Sequence, residues 1–511
     1  MTHPSAARPF SLPDPAGFAR LREALAGAGY AERGVLDVLG PRDIWRLSVG
    51  DLLLFVHATR GGSPLDTLIR LFLIGQPVAP EAARQAIAPA TLDELAAASL
   101  LRLQDGAVAG AVQLLPFRGL VVAFDRPPPP DAPVAADYVM GVAGSTISLA
   151  NATVRRPSRL TLDLGTGCGI LAFLAAPHSD RVLAVDRNPR ALALARFNAR
   201  LNAMANVECL EGDLFGPAEG REFDLICSNP PFVVSPEAHY IYRDSGRPLD
   251  EISRAIVRQA PRFLREGGFC QILCNWAHVR GQDWRERLAA WIEGTGCDAW
   301  VMRSDTLEAA AYAAKWIRHT ERDAPDAQAR RFEEWVAYYE RHQVEAVSGG
   351  LVILRRRSSG TNWVRLDDAP EKMLGPAGED IARAFELHDF LDATRDDQVL
   401  LAQRLRVSPD ARLHQTLEPA SEAWQLAQSE IRLHRGLAYA GNADPCLSTI
   451  LGQCNGQRPL GEALHGLAAL LGEDDAKVIP AALDIVRRLI ERGFLLPDTI
   501  PFPDAPRDSI T

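Results

Sequence analysis

The chain has 511 residues, a length that accommodates about three to four domains at roughly 150 residues each. Its 65 Asp and Glu against 55 Lys and Arg give a formal charge of −10, which withholds the broad positive field behind most non-specific nucleic-acid binding. The longest apolar runs, DLLLFV and GLVVAF, fall short of the roughly 20 residues that a membrane-spanning helix needs, and MTHPSAARPFSLPD lacks the charged-then-apolar layout of a secretion signal.

To about residue 130 the sequence reads as helices followed by strands. VAPEAARQAI and TLDELAAAS have the character of short helices, the second opened by Thr91 with Glu94 three residues on, the pattern of a capping box. LLRLQDGAVAGAVQLLPFRGLVVAFD then reads as short strands turning at Gly106 and Gly119. Helices followed by a small hairpin predict a winged-helix-like accessory domain over 1–130. Such modules bind DNA or serve as structural and protein-binding units, and the acidic balance favours the second use. DRPPPPDAP, residues 125–133, is a stiff spacer and marks a domain boundary.

The middle segment, 138–357, alternates strands and helices: LTLDLG, LAFLAA, VLAVD, PRALALARFNARLN, VECLEGDLF, FDLICSNPPF. This order predicts an α/β fold with a doubly wound, mostly parallel sheet. Ligands in such sheets bind beyond the carboxyl ends of the strands. The strand LTLDLG runs into GTGCGI, whose Gly165, Gly167 and Gly169 form GxGxG, where a dinucleotide fold calls for GxGxxG. Glycines here let the backbone take positive φ and approach a ligand closely. The next strand ends at Asp186, where a carboxylate can accept from two ribose hydroxyls, and the region after it ends GDLF, with Asp213 over the same cleft.

Asp163-Leu164-Gly165-Thr166-Gly167-Cys168-Gly169 resembles the nucleotide loop of class I S-adenosylmethionine-dependent methyltransferases. The resemblance covers the middle segment. It implies S-adenosylmethionine as cofactor, held by Asp163, Gly165, Thr166, Gly167, Gly169, Asp186, Asn188, Asp213, Leu214 and Asn229. Upstream, VAGSTISLA is similar to the segment that closes over the methionine end of the cofactor, with Gly144, Ser145 and Thr146 as its candidates.

Within that family, Asn-Pro-Pro followed by an aromatic residue at the end of the fourth strand marks enzymes that methylate a nitrogen on a planar group. Here the motif is Asn229-Pro230-Pro231-Phe232, and Asn229, Pro230 and Phe232 are the expected catalytic set. An amide or exocyclic amine has its lone pair delocalised and is a poor nucleophile. Acceptors on its N–H bonds orient it, and the Asn229 side-chain oxygen and Pro230 carbonyl can serve. The prolines fix φ and force the preceding residue extended, and Phe232 can stack on a planar acceptor. No dedicated base is needed, because the nitrogen becomes acidic once methylated.

Three acceptor classes use this motif: the glutamine of peptide-chain release factors, the exocyclic amines of RNA or DNA bases, and small metabolites. Phe232 stands where release-factor enzymes more often carry tyrosine, and Val233 where the ribosomal-RNA guanine enzymes usually carry histidine. After the motif, HYIYRDSGRPLDE supplies Tyr242, Arg243, Asp244 and Asp250 as candidates for the substrate wall beside Pro231 and Phe232, the alternative being a solvated loop. The leading reading is an N-methyltransferase of a protein side chain or small metabolite; the alternatives are a nucleic-acid amine methyltransferase and a non-catalytic nucleotide-binding scaffold. A basic, aromatic-lined face beside Phe232 favours nucleic acid, whereas an acidic or apolar pocket favours the leading reading.

A second shift of composition near SSGTNW, after the strand-like GLVILRRR, opens a third segment, 358–511. CLSTILGQCNGQRPLGEALHGLAALLG and VIPAALDIVRRLIERGFLLP are amphipathic helices broken by Gly and Pro and ending in a short strand, so a second winged-helix-like accessory domain is plausible. The arginine clusters Arg155, Arg156, Arg159 and Arg355, Arg356, Arg357 read as solvated strand ends. The eight cysteines show no metal spacing, so no metal is expected. Cys270 and Cys274 have the same-face spacing of buried thiols in a strand, and Cys446 and Cys454 have no nearby histidine cluster. Reduced thiols fit a cytoplasmic protein with no membrane partner.

Overall fold

Eight strands form the central sheet: β1 (Ser158–Leu164), β2 (Ser179–Asp186), β3 (Val207–Glu211), β4 (Phe223–Ser228), β5 (Leu264–Val279), β6 (Cys297–Glu308), β7 (Val344–Arg356) and β8 (Val364–Asp368). The computed structural model describes residues 10–12, 15–40, 49–128, 132, 134–320, 325–370, 373–420 and 423–500. The strand order is β8-β6-β7-β5-β4-β1-β2-β3. All neighbours pair in parallel except β7, which runs antiparallel to β5 and β6. This is the doubly wound, mostly parallel sheet that the alternation of segments predicts. Leu162 of β1 lies opposite Leu183 of β2 and Ile226 of β4, and all three join one buried core. The continuous apolar runs of these strands follow from burial on both faces.

The helices that bear on the site are α1 (Gly144–Ala152), α2 (Ile170–Ala175), α3 (Pro189–Leu201), α4 (Glu251–Gln259), α5 (Ala309–Thr320) and α6 (Pro325–Arg341). The last two lie between β6 and β7 and pack a second core, in which Tyr312, Ile317, Trp335 and Tyr339 meet Val233 and Val234.

The chain divides into two compact units, not three: residues 1–150 with 157–369, and residues 151–156 with 370–511. The N-terminal helices and hairpins have the expected order, including the Thr91–Glu94 capping box and turns at Gly106 (φ 76°) and Gly119 (φ 77°). They nevertheless belong to the unit of the central sheet. The strand Leu120–Asp125 presents its backbone to Asn198 of α3 and to Asn202, which caps the C-terminus of that helix. Asn202 accepts from Val121 N at 2.9 Å and donates to Val121 O at 2.8 Å; Asn198 does the same with Ala123 at 2.7 and 2.8 Å. Two side-chain amides thus stand in for a neighbouring strand on an otherwise open edge. The second boundary also moves, from 357 to 369, because β8 pairs with β6.

Arg159 is exposed at the start of β1, as expected, but Arg156 and Arg355 are not solvated strand ends. Arg355 donates to the buried Asp298 at 2.6 Å, and Arg156 binds Glu379 at 2.7 Å and also Glu386. The second unit holds two three-stranded sheets and the helices Pro445–Gln453, Leu460–Leu471 and Asp475–Glu491, with a core running through Leu464, Leu483, Val486 and Leu495. Its last strand, Leu495–Pro497, is the expected short one. Among the described residues no helix is long and apolar enough to cross a membrane.

Candidate active site

The order of strands reverses between β1 and β4, and the candidate residues gather beyond the carboxyl ends of those strands, as the topology dictates. The loop after β1 takes positive φ at Gly165 (76°), Gly167 (55°) and Gly169 (92°). Among the described residues, and leaving out the adjacent ones in the chain, no atom lies within 4 Å of where a side chain at Gly165 or Gly167 would begin, so both backbones face open space. Gly169 has a different reason. A Cβ there would sit 2.4 Å from the Phe173 ring, so this glycine lets the loop close onto α2.

Two carboxylates shape the loop from below. Asp163 is buried; its Oδ2 accepts from the Thr166 hydroxyl at 2.6 Å and from Ala172 N at 3.0 Å, while Oδ1 has no partner among the described residues. Burial pushes the Asp163 carboxyl up to about 6. Asp186 accepts from Gly167 N at 2.8 Å and Asn188 N at 2.9 Å. Burial raises its pKa as well. A carboxylate has about four lone-pair sites, so Asp186 can accept further hydrogen bonds.

The open space is a cavity of about 450 Å³ lined by Gly165, Thr166, Gly167, Asp186, Asn188, Asp213, Leu214, Thr146, Asn229, Pro230 and Pro231, among others. It therefore collects most of the residues that the resemblance nominates for the cofactor. Asp163, Gly169, Gly144 and Ser145 are the exceptions: Asp163 and Gly169 act on the shape of the loop, Ser145 lines a second cavity and Gly144 lines neither. Asn188 lines it while already occupied, its Oδ1 capping α3 through Arg190 N at 2.9 Å and its Nδ2 donating to Asp137 O at 2.9 Å.

A second cavity, of about 370 Å³, adjoins the motif. It is lined by Pro127, Pro128, Val134, Ala143, Ser145, Phe232, Val233, Arg243, Lys315 and Trp316, and by five residues that also line the first: Tyr138, Met140, Asn229, Pro230 and Tyr242. Asn229 and Pro230 thus stand where the two spaces meet. The Ser228 hydroxyl, donating to Leu164 O at 2.8 Å, fastens the end of β4 to the end of β1. The Asn229 amide nitrogen points to Ser145 Oγ at 3.4 Å and Thr146 Oγ1 at 3.5 Å. Its Oδ1 and the Pro230 carbonyl accept no hydrogen bond from the described residues, so both remain available as acceptors. Phe232 meets Trp316 edge-on at 6.5 Å.

The helical insertion between β6 and β7 grips the loop that follows the motif. Tyr339 donates to Val234 O at 2.7 Å, Val234 N donates to the Tyr312 hydroxyl at 3.3 Å, and Leu249 N donates to the Tyr338 hydroxyl at 2.9 Å. Nothing in the sequence marked Trp316 or Lys315 as site residues, because α5 reaches the motif only through the fold. Tyr138 was missed for a similar reason: it sits just past the proline run, without a polar constellation around it.

The run after the motif is neither a solvated loop nor wholly a substrate wall. Arg243 and Asp244 are both buried, paired through Nε–Oδ1 at 2.7 Å and Nη2–Oδ2 at 3.0 Å. Arg243 also binds Glu237 and lies over the rings of Tyr240 (4.7 Å) and Trp335 (5.5 Å). Asp244 further accepts from Ser235 Oγ at 2.9 Å and Tyr240 N at 3.0 Å, and it lines neither cavity. Arg243 contributes surface to the second cavity with its charge already matched, Tyr242 touches both cavities, and Pro231 lines the first cavity instead of the second. Asp250 is drawn to Arg287 at 2.7 Å, away from both. No group of three or more His, Cys, Asp or Glu able to hold a metal occurs among the described residues.

Comparison with known proteins agrees with this geometry. Residues 143–283 match the family described as the methyltransferase small domain. Residues 27–111 and 382–497 match two families described as domains of unknown function, DUF7059 and DUF7782. The release factor glutamine methyltransferase of Escherichia coli (strain K12) is 35% identical over 133 residues, covering 24% of this chain and 48% of that protein. That of Geobacter sulfurreducens is 38% identical over 125 residues, covering 22% of this chain and 43% of that protein. The chain spans about half the length of the curated relatives it matches. With the strand order and the glycine loop over its cavity, the family match makes residues 143–283 a class I S-adenosylmethionine-dependent methyltransferase domain, with S-adenosylmethionine as its cofactor.

Proposed function

We propose that this protein transfers a methyl group to a planar nitrogen, and that the acceptor is the side-chain amide of a protein glutamine. The observation that carries the reading is the position of Asn229 and Pro230, which line both cavities and keep two oxygens unclaimed. In this reading the first cavity takes the cofactor: Asp186 accepts from the ribose hydroxyls, Asp213 and Leu214 border the adenine, and Thr146 borders the methionine end. S-adenosylmethionine, when bound, supplies an electrophilic methyl group on a positively charged sulfur. The Asn229 Oδ1 and Pro230 carbonyl accept from the two N–H bonds of the acceptor amide and hold its nitrogen toward the first cavity. Phe232 and Trp316 border the plane of the acceptor. Catalysis then rests on positioning and preorganised hydrogen bonds.

The lining of the second cavity supports a protein or small-molecule acceptor over nucleic acid. Among the described residues it is mainly apolar and aromatic, and of its two cations Arg243 is neutralised by the buried Asp244 and by Glu237 while Lys315 lies 3.7 Å from Asp305. A surface for phosphates needs cations free to meet them. The named activity of the relatives, on release-factor glutamine, supports a protein amide in particular. A cytoplasmic location belongs to the same reading, supported by eight free cysteines.

The test is transfer of isotopically labelled methyl from S-adenosylmethionine into fractionated lysate, followed by acid hydrolysis. Label released as methylamine, the product expected from an N-methylated side-chain amide, supports the proposal. Label recovered in methylated nucleobases overturns it in favour of a nucleic-acid amine.

A further inference from the structure

We infer that Tyr138 and Tyr242 form an aromatic collar around the passage between the two cavities and that this collar recognises the positive charge of the methyl donor. The inference rests on the proposed reading of the two cavities. Five residues line both spaces: Tyr138, Met140, Asn229, Pro230 and Tyr242. A methyl group moving from donor to acceptor passes among them. The two tyrosines come from opposite sides of the motif in sequence and meet as an edge-to-face pair, with centroids 5.5 Å apart and planes at 64°. Tyr242 is backed in turn by Tyr240 at 5.8 Å.

The segment that carries Tyr138 is built into place. Asp125 Oδ2 accepts from Val139 N at 2.8 Å, Asp125 N donates to Val139 O at 3.2 Å, Asn188 Nδ2 donates to Asp137 O at 2.9 Å, and Ile241 N donates to Ala136 O at 3.2 Å. Bonds on both sides of Tyr138 therefore fix its backbone to the helix that follows Asp186 and to the loop that carries Tyr242.

Charge decides what such a collar does. The carboxylates of the first cavity, Asp186 and Asp213, stand at the ends of β2 and after β3, and no carboxylate is among the five shared residues. A sulfonium at the passage therefore meets aromatic rings and amide or carbonyl oxygens. Aromatic faces attract cations, and the demethylated product has a neutral sulfur that gains nothing from them. The collar thus favours the charged donor over the spent cofactor and assists product exchange.

The experiment is calorimetric titration of the full-length protein with S-adenosylmethionine and, separately, with S-adenosylhomocysteine, for wild type, Tyr138→Leu, Tyr138→Phe and Tyr242→Leu. The two leucine variants should bind the charged donor about tenfold more weakly, with binding of the neutral product changed less than about twofold. Tyr138→Phe should restore the wild-type ratio, since it keeps the ring. Equal weakening for both ligands, the result of a merely structural role, overturns the collar, as does an unchanged ratio. No acceptor is present, so an error in the acceptor's identity leaves the result intact, whereas wild type binding neither ligand would refute the cofactor reading and the collar with it.

Discussion

Arg190 holds Asp125 with two parallel hydrogen bonds, Nε to Oδ2 at 2.9 Å and Nη2 to Oδ1 at 2.6 Å. The pair joins the last residue of the N-terminal hairpin to the first turn of α3, beside Asp186, and the same carboxylate anchors Val139. The N-terminal segment thereby braces the stretch whose Tyr138 and Val139 line the first cavity.

Arg190→Met should destabilise the first unit, because it leaves a buried carboxylate without its cation. The loss should be about 3 kcal/mol, the low end for breaking a buried pair, since the Arg190 side chain keeps 25% exposure. Urea unfolding measures it, and Asp125→Asn combined with Arg190→Met should recover part of the loss. Affinity for S-adenosylmethionine should fall in the single variant as the 135–139 segment loosens.

Asp244→Asn separates a structural from a substrate-binding role. The Arg243 and Asp244 side chains have no solvent exposure, so removing one charge should cost about 3–5 kcal/mol and lower the melting temperature. The Michaelis constant for the acceptor in the surviving folded fraction should stay near wild type. A weaker acceptor affinity with unchanged stability would assign Asp244 to the substrate instead.

Asp163 sets a pH dependence. Its folded carboxyl titrates at about 6 against an ordinary 3.8, so the folded state binds the proton more tightly than the unfolded chain does. Stability is then full below the unfolded value and declines as pH rises from about 4 through 6. Asp163→Asn has no such proton to lose, so its stability relative to wild type should improve by about 1–3 kcal/mol between pH 4 and 7. Parallel denaturation curves at several pH values check the sign.

The sheet, the glycine loop and the motif were legible in the sequence because each is local. A strand, a turn that needs positive φ and a carboxylate at the next strand end follow one another within a few dozen residues, and the period of each element shows directly. Tyr138, Lys315 and Trp316 were not legible, because only the packing of α5 and the anchoring of the 135–139 segment bring them to Asn229. Asp244, and Arg243 in part, misled in the opposite direction. Charged residues just after a catalytic motif look like a substrate wall, yet here the insertion α5–α6 and Tyr240 bury them as an ion pair. The expected boundary at the proline run separated what Asn198 and Asn202 join, since a side chain on a helix that pairs with a strand leaves no periodic signal.

The claim that Asn229 orients the acceptor nitrogen is tested most directly by measuring methyl transfer and cofactor affinity together in Asn229→Ala. Because the proposed ribose and adenine contacts lie at Asp186 and Asp213, the dissociation constant for S-adenosylmethionine should stay within about threefold of wild type, well under 1.4 kcal/mol. Transfer to the acceptor identified by labelling should fall by about two orders of magnitude or more, the scale for losing one preorganised hydrogen-bond partner of a transition state. Transfer at the wild-type rate by Asn229→Ala would contradict the account.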